Sequence, residues 1–150
     1  MGLQQEVMTA LKEAMKSKDQ TALTALRAVK SAILLAKTES GANEELTEEQ
    51  ELKILQKLVK QRKDSAAIFL KQDRKDLALP EIDEAEVISQ FLPEALTEEE
   101  VEKVVVATID QVGAQGMKDM GKVMGIVSKE LAGQTDGKTI SNIVKAKLAN

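Results

Sequence analysis

The sequence contains no cysteine, histidine, tryptophan or tyrosine. Without cysteine, the chain can form neither a disulfide nor a thiolate zinc site. Without histidine, it lacks the commonest general base and the commonest metal ligand. Two phenylalanines are its only aromatic residues, so the stacking of bases on aromatic side chains is nearly unavailable. A core must therefore be built from Leu, Ile, Val, Ala and Met.

Long hydrophobic runs are missing as well. Apolar stretches such as 32–36 and 104–107 are far too short to span a membrane. The N-terminus has no basic start followed by an apolar run, which a signal peptide would need. We therefore expect a soluble cytoplasmic protein with no membrane partner.

The composition that is present is typical of a globular protein, with 43% hydrophobic and 31% charged residues. The net charge of -4 hides a strong segregation of charge. Residues 39–51 and 81–102 contain acids and no bases, whereas bases predominate in 53–75 and 103–150. The acidic runs fall at predicted first helical turns, where acids stabilise the positive end of the helix dipole. We interpret them as helix starts, and we expect no metal site.

Apolar residues recur at helical spacing throughout, and no segment alternates as a half-buried strand would. The pattern predicts an all-α fold with a four-helix N-terminal lobe, 1–93, and a three-helix C-terminal lobe, 94–150. Capping boxes at 47–50 and 97–100 mark two helix starts. A long helix is predicted from the first box to about Lys75, a shorter one over 83–92, and the last three over 97–112, 119–133 and 137–148.

Two arginines are predicted to lie on apolar helix faces. Arg62 is near the centre of the apolar face of the long helix, and Arg27 is close in angle to Leu23 and Leu34. A positive charge that faces a core must be paired or hydrogen-bonded. We predict a structural or functional ion pair for both. The alternatives are an arginine whose head group reaches water past its own stem and an exposed cation in a groove between helices.

A basic stripe follows the opposite face of the long helix. Its members are Lys53, Lys57, Lys60, Lys71, Arg74 and Lys75. Such a row could contact phosphates, or it could be a solvated face that balances the flanking acids.

The stretch 118–125 combines two lysines, one acid and two glycines. Glycine inside a helix costs about 1 kcal/mol relative to alanine, so Gly121 and Gly125 predict a face that another helix or a ligand approaches closely. Asp119 stands where an N-cap would. Tight packing within the lobe and phosphate binding at a helix N-terminus both remain open. The candidate RNA-binding cations are Lys118, Lys122, Lys129, Lys138 and Lys145.

Several segments, in order along nearly the whole chain, match one family. They are Leu26-Arg27, 31–33, 60–65, 76–78, Leu92-Pro93, Gly113-Ala114, 117–124 and 136–138. Each segment alone is weak, and together they are specific. On these residues the chain resembles the YqeY-like family, which carries a GatB/YqeY domain.

The resemblance implies an all-helical fold of two lobes. It also implies that the C-terminal lobe is similar to the tail domain of the B subunit of the tRNA-dependent amidotransferase, which converts Glu or Asp mischarged on tRNA to Gln or Asn. In that enzyme the tail helps to engage tRNA, while catalysis belongs to other domains. Stand-alone members are often labelled carbon–nitrogen ligases with glutamine as amide donor, a label that we interpret as inherited.

One segment departs from the family. Where relatives often have Gly-Arg-Ala-Asp-Gly before the last helix, residues 133–137 have Gln134 in place of the arginine. If that arginine contacts phosphate in relatives, phosphate binding here should be weaker or different.

Three functional hypotheses follow. The first is a non-catalytic module that binds tRNA or assists a translation-linked enzyme. The second is a protein-interaction module that docks on a larger enzyme, and the third is an accessory component with glutamine-dependent carbon–nitrogen ligase activity. No catalytic motif is recognisable, so we expect no catalysis by the chain alone and no cofactor.

Overall fold

Helices account for all the regular structure in a computed structural model that describes residues 2–39 and 45–149. The first four are α1 (Leu3–Ser17), α2 (Gln20–Glu39), α3 (Glu48–Lys71) and α4 (Lys75–Ser89). The last three are α5 (Glu98–Val112), α6 (Met120–Glu130) and α7 (Gly137–Leu148). The described residues contain no strand, so the prediction of an all-α fold is confirmed.

The chain divides into two compact units, Met1–Leu92 and Pro93–Asn150. In the N-terminal unit α3 packs along α4, and α2 contacts α1, α3 and α4. Leu26, Leu55 and Ile88 are the largest of its fully buried side chains. These three come from different helices, so their burial joins α2, α3 and α4 around one core.

The C-terminal unit is a bundle in which α5, α6 and α7 each pack against the other two. Five of its buried side chains are valines with no exposed surface: Val101, Val105, Val123, Val127 and Val144. Because this region of the sequence offers no aromatic residue, small branched side chains fill the interior. Thr108 is the one buried polar residue among those described, and its hydroxyl donates to the Val104 carbonyl at 2.8 Å.

Local capping chemistry sets several helix starts. The side chain of Thr47 accepts the Gln50 N–H, and Gln50 returns a bond to the Thr47 N–H, which confirms the first capping box. Thr97 accepts the Glu100 N–H at 3.2 Å, but the returning bond from the Thr97 N–H to the Glu100 side chain is not formed, so only half of the second predicted box is present. Asp136 caps α7 in the same way, through the Thr139 N–H at 2.7 Å. Such caps contribute about 1 kcal/mol each.

Part of each acidic run lies where the helix dipole favours it, whereas residues 81–86 lie in the middle and second half of α4, so the interpretation as helix starts is wrong for that part. Glu48, Glu49 and Glu51 are in the first turn of α3, and Glu98, Glu99 and Glu100 are in the first turn of α5. In the described ranges, no group of three or more acidic, cysteine or histidine side chains is arranged to hold a metal ion.

The predicted helix boundaries are wrong between α3 and α4. The chain turns at Gln72–Arg74, where Asp73 takes a left-handed conformation with φ 57° and the Arg74 N–H bonds the Phe69 carbonyl at 2.8 Å. The next helix then begins at Lys75 rather than residue 83 and contains Pro80. Aspartate tolerates the left-handed region, so this turn forms without the glycine that usually signals it.

The half-buried carboxylate of Glu51 gives the N-terminal unit a predicted pH dependence. Burial, and then the charges of Glu45 and Glu48, raise its pKa above the ordinary value of 4.5, against a hydrogen bond from Gln4. The folded protein therefore holds this proton more tightly than the unfolded chain does. Protonation of Glu51 therefore stabilises the folded protein. This contribution is complete below about pH 4.5 and is lost as the pH rises through the raised pKa of Glu51.

Glu51→Gln should therefore melt at a higher temperature than the wild type at pH 7, and the difference should shrink towards pH 4. Thermal unfolding followed by circular dichroism at both pH values measures it. Glu94→Gln, at an exposed position outside the helices, is the control for loss of one negative charge. A difference between wild type and Glu51→Gln that grows on acidification would contradict the assignment.

Candidate nucleic-acid interface

One face of α6 and of the 3₁₀ turn Met117–Asp119 that leads into it carries lysines and glycines. This lysine–glycine face consists of Lys118, Gly121, Lys122, Gly125 and Lys129, all exposed. Residues spaced three or four apart form one stripe along a helix. Val123 and Val127 lie on the opposite side and are fully buried. Core packing therefore directs the three lysines away from the bundle.

The two glycines of this face touch no other part of the unit. A Cβ atom built on Gly121 or Gly125 would meet no neighbouring atom within 4 Å. The prediction that these glycines allow tight packing within the lobe is therefore wrong, because the bundle closes through the valines on the other side of α6. They leave a strip of bare helix backbone between the lysines. Close approach of a ligand to that strip stays a prediction.

Replacing both glycines by alanine should stabilise the protein. The backbone of Gly121 and Gly125 is helical and space is open, so each change should add about 0.4–1 kcal/mol by restricting the unfolded chain. Urea unfolding of the double variant should show an increase of about 1–2 kcal/mol.

Gly113→Ala is the matched control for the glycine variants. A Cβ at Gly113 also meets open space, but its φ is +67°, which costs a residue with a Cβ. We expect this single change to destabilise the protein. If the double variant at Gly121 and Gly125 lost stability too, those positions would be packed after all.

Asp119 lies at the N-cap position of α6 but makes no capping hydrogen bond to that helix. Its Oδ2 instead accepts the backbone N–H of Gln115 at 3.0 Å, within the connection from α5 to α6. The capping role predicted for Asp119 is wrong in this respect. Because its negative charge stands at the positive end of α6, a phosphate is disfavoured there. The lysine–glycine face, rather than the helix terminus, is the candidate site for phosphate.

The remaining candidate lysines lie on α7. Lys138 and Lys145 share one exposed stripe, with the exposed Asn142 between them. Because α6 and α7 each pack against both other helices, their outer stripes face different sides of the bundle. The structure thus groups Lys118, Lys122 and Lys129 on one exposed stripe and has Lys138 and Lys145 on a separate exposed stripe of α7. Sequence reasoning missed Asn142, although its four-residue spacing from Lys138 was a usable signal.

None of the five candidate lysines forms an ion pair in the described part of the chain. Lys147 of α7, in contrast, lies 2.6 Å from Glu102 of α5. In the basic stripe, the ion pairs are Lys53–Glu49 at 3.6 Å, Lys60–Asp64 at 2.7 Å and Arg74–Asp76 at 2.9 Å. These local acids offset half of that stripe, which favours its interpretation as a solvated, self-balanced face. The lysine–glycine face keeps its full attraction for an anion.

The ion pair predicted for Arg62 is present. Its Nε donates to Glu84 Oε1 at 3.4 Å and its Nη1 donates to the Leu58 carbonyl at 3.2 Å. Both charged side chains are 15% exposed, and the pair joins α3 to α4. Arg27 is exposed and forms no ion pair with any described residue. The predicted ion pair is therefore wrong for Arg27, and the alternative, a head group that reaches water past its own stem, is the one observed.

Gln134 contributes through its backbone. Its carbonyl accepts the Leu96 N–H at 2.9 Å, which ties the segment before α5 to the connection between α6 and α7. Its side chain is half-buried. Any residue provides the same carbonyl, so this contact does not depend on the identity of the side chain at position 134.

The family model described as Yqey-like protein matches residues 4–148, almost the entire chain. The chain belongs to this family. The resemblance predicted from the sequence is thereby confirmed, and its motifs now have positions in the fold. The Yqey-like motif 117–124 supplies the first half of the lysine–glycine face.

Proteins of two names are among those similar to the chain. One is a subunit of the glutamyl-tRNA(Gln) amidotransferase of Thermococcus gammatolerans, which is 38% identical over 79 residues, 49% of this chain and 13% of that protein. Proteins called altered inheritance of mitochondria protein 41, mitochondrial, are the others. The one from Clavispora lusitaniae is 41% identical over 97 residues, 63% of this chain and 55% of that protein. The one from Kluyveromyces lactis is 33% identical over 142 residues, which are 93% of this chain and 72% of that protein.

The cytoplasmic location predicted for this Yqey-like chain stays a prediction, since two relatives are named as mitochondrial proteins. Among the described helices, none has the length and apolar character needed to cross a membrane.

Proposed function

We propose that this protein is a non-catalytic tRNA-binding module that assists a translation-linked enzyme. Its contact surface is the lysine–glycine face of α6, extended by Lys138 and Lys145 on α7. The observation that carries the proposal is a row of three exposed lysines without acidic partners among the described residues. The bare backbone of two glycines lies between them.

The chemistry of this face suits a phosphate backbone. Lysines at intervals of one and two helical turns can each neutralise a phosphate and release its condensed counterions. The glycines remove side chains that would hold a bulky backbone away from the helix. A chain with two phenylalanines and no other aromatic residue is poorly equipped to stack unpaired bases, so a folded RNA with an ordered backbone is the better match.

Similarity points to tRNA among folded RNAs. One relative carries glutamyl-tRNA(Gln) amidotransferase in its name. The chain spans only 13% of that protein, so the activity of the whole relative is not transferred to it. What supports the proposal is the combination of a related segment with a chemically suitable surface.

Titration of unfractionated tRNA with the full chain in a gel-shift assay tests the proposal. With about three to five phosphates neutralised, log K should fall with log[salt] with a slope of about -2 to -4. Binding should therefore be clear at about 25 mM salt and weak at about 200 mM. Absence of binding at the lower salt concentration would remove the proposal. The protein-interaction hypothesis is favoured by a different observation, in the N-terminal unit.

A further inference from the structure

A groove with an apolar floor lies between α1 and α2. It has a volume of about 150 Å³ and is lined by Gln4, Val7, Met8, Lys30, Ile33, Leu34 and Lys37. Val7 and Ile33, which are 2% and 5% exposed, form its floor. Met8 and Leu34 form walls that remain 36% and 62% exposed. The groove thus keeps apolar side chains in water that a partner could cover.

Among the described residues, the two ionisable side chains that line the groove are both lysines, Lys30 and Lys37. Lys37 donates to Gln4 Oε1 at 2.8 Å and lies 3.5 Å from Glu45. These two contacts fix the Lys37 side chain at one end of the groove. Lys30 and, one turn earlier on α2, Arg27 are exposed and form no ion pair within the described ranges. The rim on α2 is therefore cationic.

The wall on α1 continues the apolar surface without adding acids. Met15, seven residues after Met8, is 56% exposed and lies on the same face. Methionine side chains adapt to partners of varied shape. Glu6 and Glu13 each precede one of these methionines by two residues, so they point about 200° away around the helix. Among the described residues no acid lines the groove, although Glu45 lies beside Lys37 at one end.

We propose that this groove binds an amphipathic, acidic helix of a partner protein. Two neighbouring antiparallel helices leave a furrow that an apolar helical stripe fills, with anchors three or four residues apart. In this arrangement the apolar anchors cover Met8 and Leu34, and acids beside them meet Arg27 and Lys30. The assignment concerns the N-terminal unit and does not depend on tRNA binding by the C-terminal unit.

The balance of surfaces favours a protein over a nucleic acid in the groove. A cationic rim attracts either, but the floor and walls are aliphatic. Val7, Met8, Ile33 and Leu34 offer no aromatic plane for base stacking. They gain most from burial against other apolar side chains, and these a partner helix supplies.

Fluorescence anisotropy with the full chain and a labelled peptide tests this proposal. The probe is a helical peptide of about 18 residues, five turns, with Leu along one stripe and Glu beside it. One comparison peptide carries Lys in place of Glu, and another has the same composition with its Leu residues scattered. The acidic amphipathic peptide should bind at least about tenfold more tightly than either.

Two variants on neighbouring positions locate the contact. Leu34→Gln should weaken binding about tenfold or more by removing an apolar wall. Leu35→Gln should change it by less than about twofold, because Leu35 is similarly exposed, at 59%, but lies outside the groove lining. Arg27→Glu with Lys30→Glu should reverse the preference towards the Lys peptide. Circular dichroism spectra that match the wild type confirm that each variant is folded.

Several results would overturn the proposal. Among them are equal losses for Leu34→Gln and Leu35→Gln, a preference of the wild type for the Lys peptide, and displacement of the bound peptide by tRNA. Self-association in sedimentation equilibrium that Leu34→Gln abolishes would instead assign the groove to a second copy of the chain. Peptide binding that survives loss of the α6 lysines would separate this site from the tRNA surface.

Discussion

Replacing Lys118, Lys122 and Lys129 together by glutamine should weaken tRNA binding about 100-fold or more near 0.1 M salt. Each lysine that neutralises a phosphate contributes close to one unit to the slope of log K against log[salt]. The triple variant should therefore lose about two to three units of slope. Gel-shift titrations at three or more salt concentrations measure both quantities. The fold should be unaffected, because all three side chains are exposed and unpaired in the described structure.

A second triple variant separates the location of the charge from its amount. Lys57, Lys63 and Lys71 on α3 are also exposed and outside the ion pairs of the described structure. Their replacement by glutamine changes the net charge equally. We expect this control to reduce affinity by less than about tenfold. Equal losses in the two triple variants would show that tRNA responds to net charge and would contradict a site on α6.

Local signals explain what could be predicted of the fold. Thr47, Thr97 and Asp136 cap helices through atoms three residues away, so the sequence window around each contains the whole interaction. The turn at Asp73 was missed because its left-handed conformation is rare without glycine. Pro80 lies inside α4 at an exposed position, although proline disfavours a helix interior.

For the candidate site too, local spacing could be predicted from the sequence and tertiary packing could not. That Lys122 and Lys129 share a face follows from helical spacing alone. Lys118 extends that face from the 3₁₀ turn that leads into α6. What lies opposite Gly121 and Gly125 depends on how α6 is rotated against α5 and α7. That rotation is set by Val123 and Val127, which turn the glycines outward. A spacing argument predicts a face, and only tertiary packing decides what the face meets.

Arg62 and Arg27 show that helical spacing also does not predict whether a charged side chain is buried and paired. Helical spacing put both near apolar faces, yet one is paired and half-buried while the other is exposed. The acid that pairs with Arg62 is 22 residues away, on the next helix. Glu84 reaches Arg62 only because the chain turns between α3 and α4, and no local signal in the sequence revealed that turn. Burial of an arginine is thus a property of the neighbouring helix as much as of its own.

Removing Arg62 should cost the N-terminal unit about 1–3 kcal/mol of unfolding free energy. Arg62→Met keeps the apolar stem but leaves Glu84, which is 15% exposed, without its cation. It also removes the hydrogen bond to the Leu58 carbonyl. Urea unfolding monitored by circular dichroism measures the loss. The variant with both Arg62→Met and Glu84→Met should recover most of it, because neither charge remains to be desolvated.

The exposed pair on the same helix supplies the control for this argument. Lys60 and Asp64 are closer together, at 2.7 Å, but their side chains are 71% and 60% exposed. Lys60→Met should therefore cost less than about 0.5 kcal/mol, as surface ion pairs do. If distance decided the energy, Lys60→Met would be the more damaging change. A loss for Arg62→Met no greater than that for Lys60→Met would show that water still solvates Glu84, and that the contact between α3 and α4 is held by its apolar side chains alone.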